Sequence, residues 1–539
     1  MSWRDRAFVL LLAVALTLSN AVKPAVVDDT AYLEFARHLS VIPGDPYGFR
    51  LFWYDRPQPA MHVLLPPVLP YWVAGGMRLF GENLFLLKLW LFPFALALAV
   101  AVYSLIRRFA PAAARVGTTV FVLSPAVLPL FNVMLDVPAL VLGLAGLAAF
   151  VRGCDRRQVA WAVLAGVLVG LAMQTKYSML VTPVVLAWYG VLHRRWADTL
   201  IAVGIAAGLF VGWEWLLHQK YGESHFLFHL RSHSETKDFA DQLAEKAGLV
   251  RPLLSHFGLL AAGLSFWASR AAGFGRTVRW ITAGVFVVIV GLLVAPNAEY
   301  GDITRELLLA AIGVSIGVNL GLVAWQLRSL VPPRDVAFLV GWIAIEAAGC
   351  VALTPFAAAR RVMGVSAAAA VLAAVGVARF GAPRGLAAVA VGLGIAVAAL
   401  DWYDAFPEKD LAERAAEVAK PGDGGTVWFH GHWAFQYYCS RAGMTAVVPG
   451  ESVLQAGDRL VYPLPPDGQD ETDFYRPHHG FAYLKPDPER TVLLTVLTWD
   501  DPLPLSTLPS LYGGGLPLRG RTGPRMRVGV YRVTGEWRP

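Results

Sequence analysis

Charged residues are scarce in this chain. Asp, Glu, Lys and Arg make up 16% of the 539 residues, whereas a soluble domain carries about 25%. Hydrophobic residues make up 56%, and many fall in runs long enough to cross a bilayer. This composition excludes a soluble globular protein and predicts a polytopic membrane protein. The net charge of +7 predicts no nucleic-acid partner, because the arginines lie mostly in short loops between apolar runs, as membrane orientation requires.

Cysteine is also rare, and no internal repeat is visible in the sequence. Cys154, Cys350 and Cys439 lie far apart and lack metal-ligand spacing, so the sequence predicts neither a disulfide nor a thiolate metal site. The absence of a repeat argues against the two-fold architecture that is common in transporters.

The apolar runs predict about thirteen transmembrane helices. Arginines recur in alternate loops, and the positive-inside rule assigns those loops to the cytoplasm. We therefore expect the N-terminus in the cytoplasm and the tail outside a bacterial-type inner membrane. The predicted spans lie near residues 7–22, 84–106, 116–131, 136–151, 159–173, 177–192, 198–217, 251–269, 280–295, 305–327, 336–354, 362–378 and 385–400.

The tail differs in composition from the rest of the chain. It contains prolines, glycines and short β-rich runs, which are typical of a small α/β domain. We therefore expect an all-α polytopic membrane domain at 1–400 and a small extracytoplasmic α/β domain at 401–539. The predicted strands lie at 426–429, 491–497 and 527–533, with a helix near 408–419.

The first predicted outer loop, about 23–83, opens with two adjacent acids, Asp28 and Asp29. A charge at this depth is costly unless it is paired, hydrated or used. Adjacent carboxylates also repel, which raises one pKa toward the range of a general base. Asp is a preferred N-cap as well, so the pair also suits the start of the next helix. The two interpretations do not exclude each other, because a cap holds a carboxylate in place.

Two helices at the membrane surface are predicted in the same loop. Apolar residues from Tyr32 to Leu39 recur at i, i+3, i+4 and i+7, which favours an interfacial helix. Residues 63–80 predict a second interfacial or re-entrant helix that ends at Gly81.

Four more charged residues are predicted at the outer surface. Asp136 opens a helix, Lys176 follows one, and Arg360 and Arg361 lie between two. Acids and cations at one level suit a reaction in which a hydroxyl is deprotonated and an anionic phosphate leaves. Structural roles without catalysis are the alternatives: Asp136 as a helix cap, Lys176 extended to the lipid headgroups, and nonspecific binding of headgroups by the arginines.

Histidines recur in a polar outer loop at about 218–250. His225, His229 and His233 are four residues apart and would share one face of a helix. Two such histidines can bind one metal, with Glu223 adding an oxygen. No second cluster completes a tetrahedral set, so a solvated or headgroup-facing loop is the alternative.

An aromatic run in the tail has two interpretations. Residues Trp428-Phe429-His430-Gly431-His432-Trp433 either contact a glycan or form the aromatic core of a strand. The sequence alone does not choose between them.

Several short motifs, in their order and spacing, resemble the GT-C glycosyltransferases. The branch they resemble contains the protein O-mannosyltransferases and the lipid A aminoarabinose transferase. Asp29 stands where the mannosyltransferases usually have Glu, and Arg361 lacks the Tyr and Pro that often follow it. The motifs are Asp28-Asp29 followed by Tyr32, Pro66-Pro67 leading to Leu79-Phe80-Gly81, Leu135-Asp136-Val137-Pro138-Ala139-Leu140, Gly170-Leu171-Ala172-Met173-Gln174-Thr175-Lys176, and Arg361-Val362-Met363-Gly364.

The resemblance implies transfer of a sugar from a polyprenyl-phosphate donor, with inversion at the anomeric carbon. The acceptor would be a lipid, a glycan or a protein, and membrane lipids would surround the site. Asp28 would be the general base or orient the acceptor, and Asp29 would support it or help to position the acceptor. The resemblance does not decide whether a divalent metal binds, either near these acids or at His225 and His229. The implied substrate-binding residues are Tyr32, His62, Asp136, Lys176, Arg360 and Arg361.

Two other functional classes are compatible with the sequence. One is a transporter or flippase for a lipid or glycan. Glu214 and Glu346 lie within predicted helices, and acids inside membrane helices often line a translocation path. The other is a noncatalytic assembly subunit whose tail binds a partner. A noncatalytic subunit would tolerate loss of Asp28, and an enzyme would not.

Overall fold

A computed structural model describes residues 1–232, 239–264, 301–381, 384–420, 424–465, 484–500, 503–508, 511–520 and 523–539. This part of the chain is mostly helical, which confirms the predicted class of the membrane domain. Its helices are α1 (Trp3–Ala21), α2 (Asp29–Val41), α3 (Ala60–Val63), α4 (Val68–Phe80), α5 (Leu84–Leu89), α6 (Phe92–Phe109), α7 (Ala114–Val122), α8 (Asp136–Arg156), α9 (Val159–Met173), α10 (Thr182–Leu192), α11 (Trp196–Tyr221), α12 (His225–Ser232), α13 (Phe239–Leu260), α14 (Gly301–Leu327), α15 (Pro333–Leu353), α16 (Met363–Phe380), α17 (Arg384–Asp404), α18 (Phe406–Val418) and α19 (Trp433–Arg441).

Within the described residues, seven helical segments are long and apolar enough to cross a membrane, and two apolar helices are shorter. The chain therefore has the helices of an integral membrane protein. The total of about thirteen spans and their orientation stay predictions, and the predicted span 280–295 lies outside the described residues. The seven segments are Leu84–Phe109, Asp136–Arg156, Trp196–Tyr221, Gly301–Leu327, Pro333–Leu353, Met363–Phe380 and Gly385–Val418, and the shorter helices are Val159–Met173 and Tyr177–Leu192.

The predicted span at 116–131 is wrong in its second half. Helix α7 ends at Val122, and turns replace the helix before α8 begins. Pro125 and Pro129 explain the break, because proline lacks the N–H that a helix needs and clashes with the preceding turn. The buried irregular segment leads directly into α8, so it delivers Asp136 to the first turn of that helix.

The first loop contains both of the helices that the sequence predicts there. Helices α2 and α4 pack against each other, and α4 is followed by Gly81, whose φ of 65° suits glycine. Between them lies a hairpin that the sequence did not indicate, formed by β1 (Arg50–Trp53) and β2 (Arg56–Pro59). Tyr54, in its turn, has a φ of 62°.

The C-terminal part contains the predicted strands and helix, with additional elements. Its strands are β3 (Val427–Phe429), β4 (Thr445–Ala446), β5 (Arg459–Leu464), β6 (Thr491–Trp499), β7 (Leu505–Ser506), β8 (Arg519–Gly520) and β9 (Met526–Val533). Five of them form a mixed sheet in the order β4-β3-β5-β9-β6. Strand β3 runs parallel to β4 and β5, whereas β9 is antiparallel to β5 and β6. Helices α18 and α19 pack against each other, and α18 also contacts β6 and β9.

Buried charges anchor the C-terminal part on the membrane helices. The ammonium of Lys23, which follows α1, pairs with Asp401 near the end of α17, and both side chains are fully buried. The Tyr512 hydroxyl donates to the Asp401 carboxylate at 3.1 Å, and Asn132 Nδ2 donates to the Tyr512 hydroxyl oxygen at 3.3 Å. One apolar core continues from the helices into the C-terminal part. These contacts hold the C-terminal residues beside the start of the first loop.

Candidate active site

Four charged side chains form a line of ion pairs with alternating sign. Arg360 Nη1 donates to Asp28 Oδ2 at 2.5 Å and lies 3.6 Å from Asp136 Oδ2. Lys176 Nζ pairs with the other oxygen of Asp136, Oδ1. The order is Asp28, Arg360, Asp136, Lys176, and we call these four residues the ion-pair line.

The ends of several helices bring these distant residues together. Asp28 precedes α2, Asp136 is the first residue of α8, and Lys176 follows α9. Arg360 lies in the 3₁₀ turn Ala359–Arg361, just ahead of α16. Four sites that the sequence placed at one membrane surface are therefore in contact.

The C-terminal part holds the turn that carries Arg360. The backbone N–H of Ala359 donates to the Leu511 carbonyl at 3.0 Å, and the N–H of Gly514 donates to the Ala357 carbonyl at 3.0 Å. A segment far along the chain thus holds the backbone of the turn from which Arg360 extends. Local sequence patterns do not reveal this contact.

The side chains of the ion-pair line do not act as helix caps or as headgroup contacts. Asp28 is the N-cap residue of α2, but its side chain makes no capping hydrogen bond. Lys176 and Arg360 are buried in ion pairs instead of extending toward headgroups. The exposed side-chain fractions are 18% for Asp28, 10% for Arg360, 6% for Lys176 and 4% for Asp136. Asp28 is therefore the more accessible of the two acids.

Asp29 has a different environment from its neighbour. It is fully buried, and its Oδ2 accepts the Val26 N–H at 3.2 Å. Its Oδ1 is also buried and finds no hydrogen-bond partner among the described residues. Burial raises the pKa of Asp29 to about 6, opposed by the charges of Lys88 and Lys23. Asp29 is therefore closed off from solvent, unlike Asp28, and feels the charges of two lysines that are also buried.

Positive charge is concentrated on the Lys176 side of the line, where a cavity opens. Lys176, Arg360 and Arg361 line it together with Asp136. Burial lowers the pKa of Lys176 to about 7, with both arginines acting in the same direction and Asp136 opposing them. Burial and the neighbouring Arg360 lower the pKa of Arg361 to about 10. Shifts in this direction indicate cations that a bound anion would stabilise.

The Arg361 side chain is positioned by an aromatic ring. Its guanidinium carbon lies 4.8 Å from the centroid of the Phe356 ring, a cation–π distance. Its Nε is buried and lacks a hydrogen-bond acceptor within the described ranges. The guanidinium therefore keeps donor capacity for a ligand.

The cavity continues into an apolar groove between α8, α10 and α15. Leu140, Met179 and Glu346 line both the polar cavity and the groove, which makes the two continuous. The groove is completed by apolar residues such as Leu144 and Trp342. Glu346, which the sequence singled out only as a charge within a helix, marks the junction, where its Oε1 accepts the Trp342 Nε1–H at 3.2 Å.

Two other predicted substrate-binding residues lie outside the ion-pair line. Tyr32 is buried on α2, where burial and then the Asp28 charge raise its pKa well above the usual value. It therefore lies near the line and stays protonated. His62 instead pairs with Glu223 at 2.9 Å and stacks on Phe228 with ring centroids 4.1 Å apart.

The histidines predicted as metal ligands have other roles here. His225 Nδ1 hydrogen-bonds to the Tyr177 hydroxyl, and its Nε2 lies 2.8 Å from the Leu64 carbonyl oxygen. Both ring nitrogens are thus engaged, so the geometry does not support a metal at His225 and His229, and we do not propose one. His233 lies outside the described residues.

The acids of the ion-pair line do not fit a metal either. Asp28 binds Arg360, and Asp136 lies between Arg360 and Lys176. In the described part of the chain, no group of three or more His, Cys, Asp or Glu residues is arranged to hold a metal ion.

A family model described as dolichyl-phosphate-mannose-protein mannosyltransferase matches residues 65–217. The resemblance to the mannosyltransferase branch of the GT-C glycosyltransferases is confirmed over these residues. The match includes Asp136 and Lys176 of the ion-pair line, whereas Asp28 and Arg360 lie outside it. No curated protein sequence matches the chain.

Solved structures similar to this chain include three GT-C proteins. ArnT of Cupriavidus metallidurans bound to undecaprenyl phosphate is 16% identical, with 85% of this chain and 92% of that chain covered and a TM-score of 0.40. The apo oligosaccharyltransferase of Archaeoglobus fulgidus is 12% identical, with 83% and 65% covered and a TM-score of 0.45. Arabinosyltransferase EmbB of Mycobacterium smegmatis is 15% identical, with 93% and 46% covered and a TM-score of 0.32.

Proposed function

We propose that this chain is a membrane glycosyltransferase that moves a sugar from a polyprenyl phosphate to a lipid, glycan or protein acceptor, with inversion. The site would face the outside of a bacterial-type inner membrane, with the N-terminus in the cytoplasm and the C-terminal domain outside. The observation that carries the proposal is the ion-pair line beside a cationic cavity that continues into an apolar groove.

The shape and charge of this space suit an amphiphile with an anionic head. A phosphate would accept hydrogen bonds from Lys176 and Arg361, and charge-assisted bonds of this kind are the strong ones. The walls of the groove beyond Leu140 and Met179 are mainly apolar, so side-chain movements that widen it would give the first isoprene units an apolar path. A polyprenyl phosphate has both features in one molecule.

The proposed reaction is a single displacement at the anomeric carbon. The acceptor hydroxyl gives its proton to Asp28 and its oxygen forms the new bond to that carbon. The bond between the carbon and the phosphate oxygen breaks, and the phosphate leaves with the electron pair. Arg360 holds Asp28 through Oδ2, which leaves Oδ1 for the proton. Lys176 and Arg361 stabilise the departing phosphate.

Removing the Arg361 charge is expected to weaken carrier binding by about tenfold or more, since a hydrogen bond to a charged group contributes about 1.5–3 kcal/mol. We would measure the affinity of the purified full chain for undecaprenyl phosphate, comparing wild type with Arg361→Met. The matched control is Arg414→Met on α18, whose exposed side chain pairs with Asp410. Equal affinities for wild type and Arg361→Met would contradict the proposal that the phosphate binds in this cavity.

The pH dependence of carrier binding is expected to depend on Lys176. Its pKa of about 7 means that the unliganded site loses a positive charge as the pH rises through 7, so affinity for the phosphate should fall. Lys176→Arg keeps the charge at every pH in this range and should flatten the decline. The measurement is the affinity ratio of wild type to variant from pH 6 to 9, because ionisation of the phosphate cancels in the ratio. A ratio that stays constant with pH would contradict this assignment.

A further inference from the structure

The aromatic run at the end of β3 divides into two parts with different surroundings. His430 turns into the sheet, where its ring stacks on Tyr462 with centroids 5.8 Å apart. His432 and Trp433 follow the strand, and His432 meets the hairpin of the first loop. The His432 ring lies 4.3 Å from the Tyr54 ring and 4.7 Å from the Trp53 ring. One half of the run is thus core, and the other half belongs to an interface near the acids.

Hydrogen bonds hold the hairpin and the C-terminal part together at this point. The Tyr54 N–H donates to His432 Nδ1 at 3.3 Å. Gln436, one turn along α19, donates from Nε2 to the Phe52 carbonyl at 3.0 Å. His432 is buried by these contacts, whereas Trp53, Tyr54 and Trp433 remain partly exposed. Hydrogen bonds therefore hold the two segments together, while Trp53, Tyr54 and Trp433 keep part of their surface exposed.

Two residues of the cluster have a positive φ, which is unusual for residues other than glycine. Tyr54 has a φ of 62° and Trp433 a φ of 55°, a conformation that is costly for bulky side chains. Strain of this kind clusters at ligand sites, where the surrounding structure maintains it. The two strained residues come from different parts of the chain and meet at one ring, that of His432.

This aromatic cluster lies next to the candidate base. Helix α19, which begins at Trp433, packs against α2, the helix that follows Asp28. The N–H of Ala25, three residues before Asp28, donates to the Tyr438 hydroxyl of α19 at 2.8 Å. Arg360, which binds Asp28, lines the cationic cavity, whereas the four aromatic residues are not among the residues that line it. An inverting displacement needs the acceptor and the leaving phosphate on opposite faces of the sugar carbon, so a separate acceptor subsite is required.

The hairpin beside the cluster is poorly suited to bind a peptide strand. Pro57 and Pro59 in β2 lack the N–H groups that an added strand would use. Rigid aromatic faces instead suit the flat apolar faces of a sugar ring, with polar groups at its edge.

We infer that Trp53, Tyr54, His432 and Trp433 form an acceptor subsite that binds a sugar ring, so the acceptor is a glycan or glycolipid. The inference rests on the proposed function, because it names the acceptor class of that reaction. The C-terminal part then has a role in the site itself, since it supplies His432 and Trp433.

Sugar binding by the purified full chain tests this inference. We would record saturation-transfer NMR of a panel of methyl pyranosides and measure undecaprenyl phosphate affinity on the same sample. At least one pyranoside should show transfer to its ring C–H protons, and Trp433→Gly should reduce that signal at least fivefold. Glycine suits the positive φ at this position, so the variant tests the ring without adding backbone strain. Trp53→Leu is the second variant and should act in the same direction.

The control is Tyr437→Leu, because Tyr437 lies on the same helix but contacts Arg441. It should leave the sugar signal unchanged. No pyranoside signal on a chain that binds undecaprenyl phosphate would overturn the inference, as would a signal that both tryptophan variants retain. Sugar binding that Trp433→Gly removes, on a chain that does not bind undecaprenyl phosphate, would support the sugar site and contradict the proposed function.

Discussion

Replacing Asp28 with Asn is expected to slow sugar transfer by about 10²- to 10⁴-fold, the usual contribution of a general base. Asn keeps the shape of the side chain and still accepts from Arg360, so affinity for undecaprenyl phosphate should change little. The measurement is the transfer rate from a saturating polyprenyl-phosphate sugar, together with carrier affinity and the unfolding temperature. A loss in rate alone would place the base at Asp28.

Asp29→Asn and Asp410→Asn are the companions to this variant. Asp29 is buried beside Lys88 and Lys23, so its loss should lower the unfolding temperature more than it affects the chemical step. Asp410 is an exposed residue of α18, so Asp410→Asn should change neither the unfolding temperature nor the transfer rate. If Asp29→Asn stopped transfer in a stable protein while Asp28→Asn did not, the assignment of the base would be reversed.

Asp401→Leu is expected to destabilise the protein by about 3–5 kcal/mol, because it leaves the buried Lys23 ammonium without its carboxylate partner. Among the described residues, the Lys23 ammonium would keep only the Tyr512 hydroxyl and the Pro129 carbonyl as polar contacts. Thermal unfolding of the full chain in detergent measures the effect, since the pair joins the start of the first loop to α17.

The double variant Lys23→Met with Asp401→Leu distinguishes a lost pair from a damaged core. It removes both charges from a site without solvent and should recover most of the stability, because a buried ion pair replaced by apolar residues is often neutral. If the double variant were as unstable as Asp401→Leu alone, the cost would come from packing and not from the unpaired ammonium.

Much of the helical framework could be predicted because long apolar runs dictate it. Helix α9 covers the residues predicted from its run, 159–173, without change. Topology also predicted that Asp28, Asp136, Lys176 and Arg360 share one level, and the structure places them in contact. Residues at the ends of apolar runs are constrained to a membrane surface, and this constraint substitutes for knowledge of tertiary contacts.

Contacts between distant segments could not be predicted from the sequence. Nothing local indicates that Leu511 would bind the turn at Ala359, or that Asp401 would neutralise Lys23. The spacing of His225 and His229 suggested a metal, but hydrogen bonds with the Tyr177 hydroxyl and the Leu64 carbonyl occupy both nitrogens of His225. Spacing shows which side chains share a face, whereas their partners depend on what packs against that face.

The central claim is tested most directly by supplying sugar-labelled polyprenyl phosphates to the purified chain in vesicles with a membrane extract. A transferase at the ion-pair line should move the label covalently to an acceptor and release polyprenyl phosphate in equal amount, and Asp28→Asn should abolish both. Label that crosses the bilayer still joined to its carrier, with no polyprenyl phosphate released, would contradict the account and favour a flippase.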